Sequence, residues 1–347
     1  MTRAMGNAQA GEICLPSKDL AADVAFFTER LGFRLDTIFP ADDPFTATIS
    51  GHGVRIRLNR EASAAPPALQ AEPPRTTEAL VVHQLKDSGG WGIGRAGMQY
   101  RDLIPGRLGG ALIASHIRIP DAGPVPDLVH FHDIDFQLIF CHRGWVRVVY
   151  EDQGPPFVLP AGDCLIQPPG IRHRVLEASQ NLEVIEVSAP ARHLTTMDHA
   201  MTLPTGVENP NRDFGGQRFC RSEATKAVWT RGRLPGFESR ETGIGAATGG
   251  VASVRAMRPA GPVPEAWTTH AADILFTFVR SGSATLREGG VAHALYEGDA
   301  YVIPPGMMTA LTDASHDLEL LEVARPDNFE NHVEAGDISQ QRGATPS

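Results

Sequence analysis

The chain has 347 residues, 42% of them hydrophobic and 21% charged, with a formal net charge of -10. That composition is globular and excludes a disordered or collagen-like chain. The acidic balance excludes binding to nucleic-acid phosphates as the main role, because such affinity comes from clustered Lys and Arg. No stretch approaches the ~18 consecutive apolar residues of a membrane span. Cys14, Cys141, Cys164 and Cys220 are scattered without a CxxC pair, which excludes a zinc knuckle or disulfide framework. The N-terminal stretch MTRAMGNAQAGEIC lacks the apolar core of a secretion signal, so a cytoplasmic setting is expected.

In chain order, residues 12–60 come first as a compact unit. EICLPS reads as a strand, and Asp19 is placed to cap a helix in which Leu20, Val24, Phe27 and Leu31 recur at helical spacing up to Gly32. FRLDTIF, FTATIS and VRIRLNR read as three strands, giving a βαβββ order. Residues 61–88 begin with EASAAPPALQAEPPR, an Ala/Pro-rich linker. Beyond it the chain repeats. GGALIASHIRIPDAGPVP (109–126) parallels GGVASVRAMRPAGPVP (249–264), AGDCLIQPPGIRH (161–173) parallels EGDAYVIPPGMMT (297–309), and NLEVIEVSAPAR (181–192) parallels DLELLEVARPDN (317–328). Trp91 before GRAGMQYRD likewise matches Trp229 before GRLPGFESRE. Two copies at this long period mean a duplicated globular domain, over 89–205 and 206–330. Short alternating strands between Gly, Pro and Asp turns make each copy an antiparallel β domain. Residues 331–347 lack apolar periodicity and are expected to be loosely ordered.

The first copy carries His130-x-His132, then Gln137, and later His173 after a Pro-Pro-Gly turn. On a strand, residues i and i+2 share a face, so His130 and His132 point the same way. Three imidazoles on one face suit Fe(II), Cu(II), Ni(II), Mn(II) or Zn(II) without choosing among them. The second copy has Thr268, His270, Leu275 and Thr309 at the matching places, so it is expected to hold no metal. Gln99 and Arg101, two residues apart in GMQYRDL, form a candidate bidentate carboxylate-binding pair or take part in an interdomain salt bridge.

These two spaced motifs, with VLPAGD between them, resemble the cupin superfamily, and the phrase KDLAADVAFFTERLGFRLD resembles one half of the vicinal oxygen chelate (glyoxalase and extradiol dioxygenase) family. The resemblances imply a mainly β protein: two tandem cupin jelly-roll barrels preceded by a small α+β module. The cupin likeness implies one divalent transition metal, Fe(II) favoured, at His130, His132 and His173, with Gln137 where a glutamate is usual. A neutral amide there leaves the site more positive and suited to a substrate that brings an anion. Glu12 stands near a ligand position of the chelate family, but the last strand of the module offers Arg55 and Arg57, so the module is expected to pack or dimerise rather than catalyse. The implied activity is an Fe(II) dioxygenase acting on a small organic acid, diketone or phenol. Alternatives are a Zn, Mn or Ni isomerase, decarboxylase or lyase, and a non-catalytic small-molecule binder. A homodimer is expected, because a lone βαβββ sheet leaves an open edge.

Overall fold

The computed structural model describes residues 12–60 and 79–335. The N-terminal module consists of β1 (Glu12–Pro16), α1 (Leu20–Ala25), β2 (Arg34–Phe39), β3 (Thr46–Gly51) and β4 (Val54–Asn59). Asp19 caps α1 by accepting the Ala22 N–H at 3.0 Å, and a wider turn over Phe26–Arg30 extends the helix. Leu20, Val24 and Phe27 pack on Ala47, Ile49, Ile56 and Leu58, so the helical stripe and the sheet face bury each other. The strands run in the order β1-β4-β3-β2, with β1 parallel to β4. Glu12 is engaged by Arg57 in an ion pair, which accounts for the opposed charges on the adjacent strands β1 and β4.

β5 (Val81–His83) follows, lying within the stretch expected to be linker. The first barrel comprises β6 (Gly92–Ile93), β7 (Gln99–Asp102), β8 (Ile113–Ile119), β9 (Gly123–Pro124), β10 (His130–His132), β11 (Phe136–Arg143), β12 (Trp145–Tyr150), β13 (Phe157–Pro160), β14 (Cys164–Ile166), β15 (His173–Ala178), β16 (Leu182–Ala189) and β17 (Thr195–Met197). After β18 (Cys220–Ser222) the second barrel comprises β19 (Trp229–Arg231), β20 (Phe237–Glu241), β21 (Ser253–Pro259), β22 (Ala266–His270), β23 (Ile274–Ser281), β24 (Ser283–Glu288), β25 (Val291–Tyr296), β26 (Ala300–Ile303), β27 (Thr309–Thr312), β28 (Glu319–Arg325) and β29 (Asn331–Ala335). Each barrel closes one sheet over another, the jelly-roll arrangement, and the duplicated order of strands matches the duplicated sequence.

The barrels exchange strands. β5, ahead of barrel 1, pairs with β26 of barrel 2, and β18, ahead of barrel 2, pairs with β14 of barrel 1. Single polar contacts repeat the exchange. The Leu85 N–H donates to Asp299 at 2.7 Å and the Ala224 N–H to Asp163 at 2.8 Å. Arg101 donates to the Gly298 carbonyl of barrel 2 at 3.4 Å, and its counterpart Arg240 donates to the Gly162 carbonyl of barrel 1 at 2.8 Å. Between them lies an apolar layer drawn from both barrels, including Leu138, Phe140, Ile185, Val254, Phe276, Phe278 and Leu321.

Two expectations change. The open edge of the module is not open at β2, which pairs antiparallel with β17 and so joins the module to the barrel-1 sheet. The expected loose tail begins as an ordered strand, because β29 pairs with β22 over five residues and its backbone groups find partners there. The remainder of that tail, 336–347, lies outside the described residues, as do 61–78 of the linker.

Because the apolar layer is shared, the two barrels are expected to unfold together. Phe140→Ala or Phe276→Ala, each removing a fully buried ring, should cost about 3–5 kcal/mol. Urea unfolding followed by tryptophan fluorescence and circular dichroism should show one transition that moves as a unit. Two resolved transitions, with only one displaced, would contradict the shared core.

Candidate metal centre

His130 and His132 sit on β10 and His173 begins β15, directly opposite His130 in the antiparallel register. Alternation brings His130 and His132 inward together, while Phe131 between them turns out under the Arg172 guanidinium, 4.1 Å above its ring. The ring centroids lie 5.2 Å (His130–His132), 4.2 Å (His130–His173) and 5.2 Å (His132–His173) apart. Their ligand nitrogens fall within 4.8 Å of one another, the one such grouping of His, Cys, Asp or Glu among the described residues.

Hydrogen bonds fix which nitrogen is free. His130 donates from Nδ1 to the Leu128 carbonyl at 2.7 Å, and His173 donates from Nδ1 to the Ile171 carbonyl at 3.0 Å. A carbonyl only accepts, so both rings carry the proton on Nδ1 and present a lone pair at Nε2. The His132 Nδ1 bonds the Thr195 hydroxyl at 3.0 Å. Burial holds His130 and His132 well below the usual imidazole range and pulls His173 down to about 4, so all three are neutral at neutral pH. The His130 Nε2 is buried with no hydrogen-bond partner. Three neutral, pre-oriented nitrogens and one orphaned lone pair fit a divalent transition metal.

The triad opens into a cavity of roughly 80 Å³ inside barrel 1. Its walls are mostly apolar, with Met98, Ile117, Ile139, Val148 and Val184 among them, and its polar members include Arg95, Tyr150, Gln167, Glu186 and the three histidines. Tyr150 stacks on His173 at 5.5 Å and its hydroxyl accepts from Gln167 at 2.8 Å. Ala41 of the N-terminal module also lines the cavity, and its carbonyl accepts the Arg95 N–H at 3.0 Å. The module thus contributes to the site, beyond packing.

Gln137 is fully buried and, by alternation with the interface residues Phe136 and Leu138, faces the barrel interior opposite Ser188. Neither of its amide atoms meets strict hydrogen-bond geometry with a protein group, although the amide lies near enough to Glu186 to favour that residue's ionised form. Burial is the larger influence and pushes the Glu186 carboxyl up to about 7. Burial disfavours the Arg95 guanidinium too, but Asp127, in contact with it, more than restores its charge.

Gln99 and Arg101 are not brought to the cavity. β7 turns its neighbours Met98 and Tyr100 inward, leaving Gln99 to accept from Arg118 at 2.7 Å and Arg101 to donate to His116 at 2.7 Å. The second copy repeats the arrangement with Glu238 accepting from Arg258, which marks it as architecture. The Cys141 thiol is buried in the core and pushed up to about 12, so it is not a reactive thiolate. Sequence reasoning missed Glu186, Arg95, Asp127 and Ala41. The available signal was a glutamate at an inward position of EVIEV, matched in the second copy by Glu322.

In barrel 2, Thr268 stands opposite Thr309 in the register that sets His130 opposite His173. The substitutions therefore fall at the geometrically equivalent places, and His270 alone remains.

Fold and triad together define a class: a tandem jelly-roll protein with one three-histidine centre. Solved structures with this architecture include salicylate 1,2-dioxygenase from Pseudoaminobacter salicylatoxidans, as an adduct with gentisate, at TM-score 0.55 and 14% identity over 77% of this chain and 88% of that one. Oxalate decarboxylase from Bacillus subtilis matches at TM-score 0.52 and 12% identity over 72% of this chain and 77% of that one. At these identities the likeness establishes the fold alone, a tandem of two jelly-roll barrels. No family profile and no curated protein sequence matches the chain. Among the described residues, no helix is long and apolar enough to cross a membrane.

The buried neutral histidines set an acid limit on the metal-free protein. His173 and His270 are pulled down to about 4 and His142 to about 3, against 6.5 for the unfolded chain. Below that value the unfolded chain takes up protons that the folded one refuses. The histidine contribution is therefore full above pH 6.5 and falls toward pH 4 by about 1.4 kcal/mol per unit for each such histidine, opposed by the single buried Glu186, whose raised carboxyl acts the other way, so that net stability should fall with acid. Urea midpoints measured across this window test the sign, and a flat profile would refute it.

Proposed function

We propose that barrel 1 is the catalytic barrel of a mononuclear metal-dependent enzyme acting on a small organic acid, diketone or phenol, with Fe(II)-dependent dioxygenation as the leading reaction. The observation that carries this reading is the triad itself: three neutral imidazoles, two with Nδ1 tied to carbonyls, converging in a mostly apolar cavity. His130, His132 and His173 hold the metal, and Gln137 offers a neutral amide as a weak fourth contact. When bound, the metal supplies Lewis acidity and, if iron, a redox couple suited to dioxygen chemistry. The chain's own groups do the rest. The apolar walls exclude water, Tyr150 holds the His173 ring by stacking, and Asp127 lies 3.5 Å from the His130 Nδ1 while neutralising Arg95. The likeness to salicylate 1,2-dioxygenase supports the same reading at the level of the fold.

A second reading, a metal-dependent decarboxylase, isomerase or lyase, is favoured by the cavity volume, which suits a substrate of few heavy atoms, and by the comparable likeness to oxalate decarboxylase. We also infer that the βαβββ module is a half unit of the vicinal oxygen chelate type, that residues 89–205 and 206–330 are the two cupin domains, and that the protein is a cytoplasmic homodimer.

Elemental analysis of protein purified without chelators should find close to one transition metal per chain. His130→Ala, His132→Ala and His173→Ala should each lower metal affinity by about 10-fold or more, while His270→Ala should not. Oxygen uptake by the iron-loaded protein with hydroxybenzoates, catechols and diketones would support dioxygenation, and carbon dioxide release without oxygen would support the second reading. A metal-free protein indifferent to all four substitutions would leave a non-catalytic binder.

A further inference from the structure

The duplication supplies a comparison within one molecule. Gly94-Arg95 and Gly232-Arg233 occupy the same turn, closed by the Gly94 N–H on the Met98 carbonyl and the Gly232 N–H on the Phe237 carbonyl, both at 2.9 Å. Glu186 and Glu322 occupy the same place on the last long strand of each barrel, opposite Ile139 and Thr277 respectively. In barrel 2 this arginine and this glutamate close on each other: Arg233 Nε lies 3.0 and 2.8 Å from the two carboxylate oxygens of the fully buried Glu322. In barrel 1 they do not. Arg95 pairs with Asp127, which is buried and accepts the Leu128 and Val175 N–H groups at 2.9 Å each. The residue matching Asp127 in barrel 2 is Glu265, which is exposed.

Asp127 has thus taken the cation that its duplicate leaves to the strand carboxylate. Among the described residues no ion pair forms at Glu186, and its side chain lines the cavity that holds the triad. A buried carboxylate held only by the Gln137 and Ser188 side chains and the more distant charge of Arg95, outside any ion pair, is costly to retain. It is retained in the barrel with three histidines and neutralised in the barrel without them.

We propose that Glu186 is a specificity-determining residue of barrel 1, accepting a hydrogen bond from a hydroxyl of the bound acid and repelling a second carboxylate. This deepens the metal-centre reading and rests on it. Arg95 and Asp127 cancel, and the imidazoles and Gln137 are neutral. A divalent cation in the same cavity favours the ionised Glu186 that burial by itself disfavours, and the two then leave one net positive charge. One substrate carboxylate neutralises the site, and a second one places excess negative charge between mostly apolar walls. The ligand class is a small hydroxy acid with a single carboxylate.

Glycolate and oxalate, similar in size and differing in this feature, are the probes. Their dissociation constants are measured by calorimetry on Zn(II)-loaded protein, and the readout is their ratio. Glu186→Gln should strengthen oxalate relative to glycolate by about tenfold or more. Glu186→Asp, which keeps the charge, and Glu322→Gln, in the other barrel, should leave the ratio near that of the wild type. Glu186→Leu is the second neutral variant should the glutamine variant fail to fold. An unchanged ratio in the neutral variant, or metal-loaded protein that binds neither probe, overturns the assignment. Failure of the wild type to take up Zn(II) overturns instead the metal centre on which it rests.

Discussion

The structure depends on the reciprocal exchange of first strands between the barrels. β5 completes a sheet of barrel 2 and β18 completes a sheet of barrel 1, so neither barrel is finished by its own repeat. The exchange seats one apolar layer between the facing sheets, where Leu138 and Phe140 meet Phe276 and Phe278. Its burial is non-directional and large. The paired arginine-to-glycine-carbonyl bonds and the paired aspartate caps supply the direction, fixing the pseudo-twofold relation. A barrel that keeps only one of the three histidines is therefore still needed, since the other cannot close without it.

The centre inherits its geometry from this frame. β10 is only three residues long and has no stability of its own. It is held by β15 on one side and β17 on the other, and β17 in turn carries the module through β2. Placing His130 opposite His173 follows from that register. The same register in barrel 2 places Thr268 opposite Thr309, so divergence replaced side chains without disturbing the backbone that aimed them.

Divergence also rearranged charge. Both barrels kept an arginine in the first turn and a glutamate in the last long strand. Turning Asp127 inward, where Glu265 turns outward, decides whether the two meet. The resulting cavity combines neutral imidazoles, a neutral amide and one unpaired acid within apolar walls. Such a site is assembled by subtraction of partners as much as by addition of ligands.

The amino-acid sequence by itself determined the duplication, the β class, the module's helix cap and the three histidines. Each of these rests on local periodicity, turn residues or self-similarity, which sequence displays directly. Gln99 and Arg101 show the limit: their i, i+2 spacing places them on one face of β7, but only the packed barrel decides that this face looks away from the cavity. Tertiary structure alone decided that the module's edge is covered by β17, that residues 331–335 form a strand, that Ala41 walls the cavity and that Glu186 forms no ion pair with the Arg95 beside it. These depend on contacts between residues far apart in the chain, where alternation fixes a side chain's face but not what that face meets.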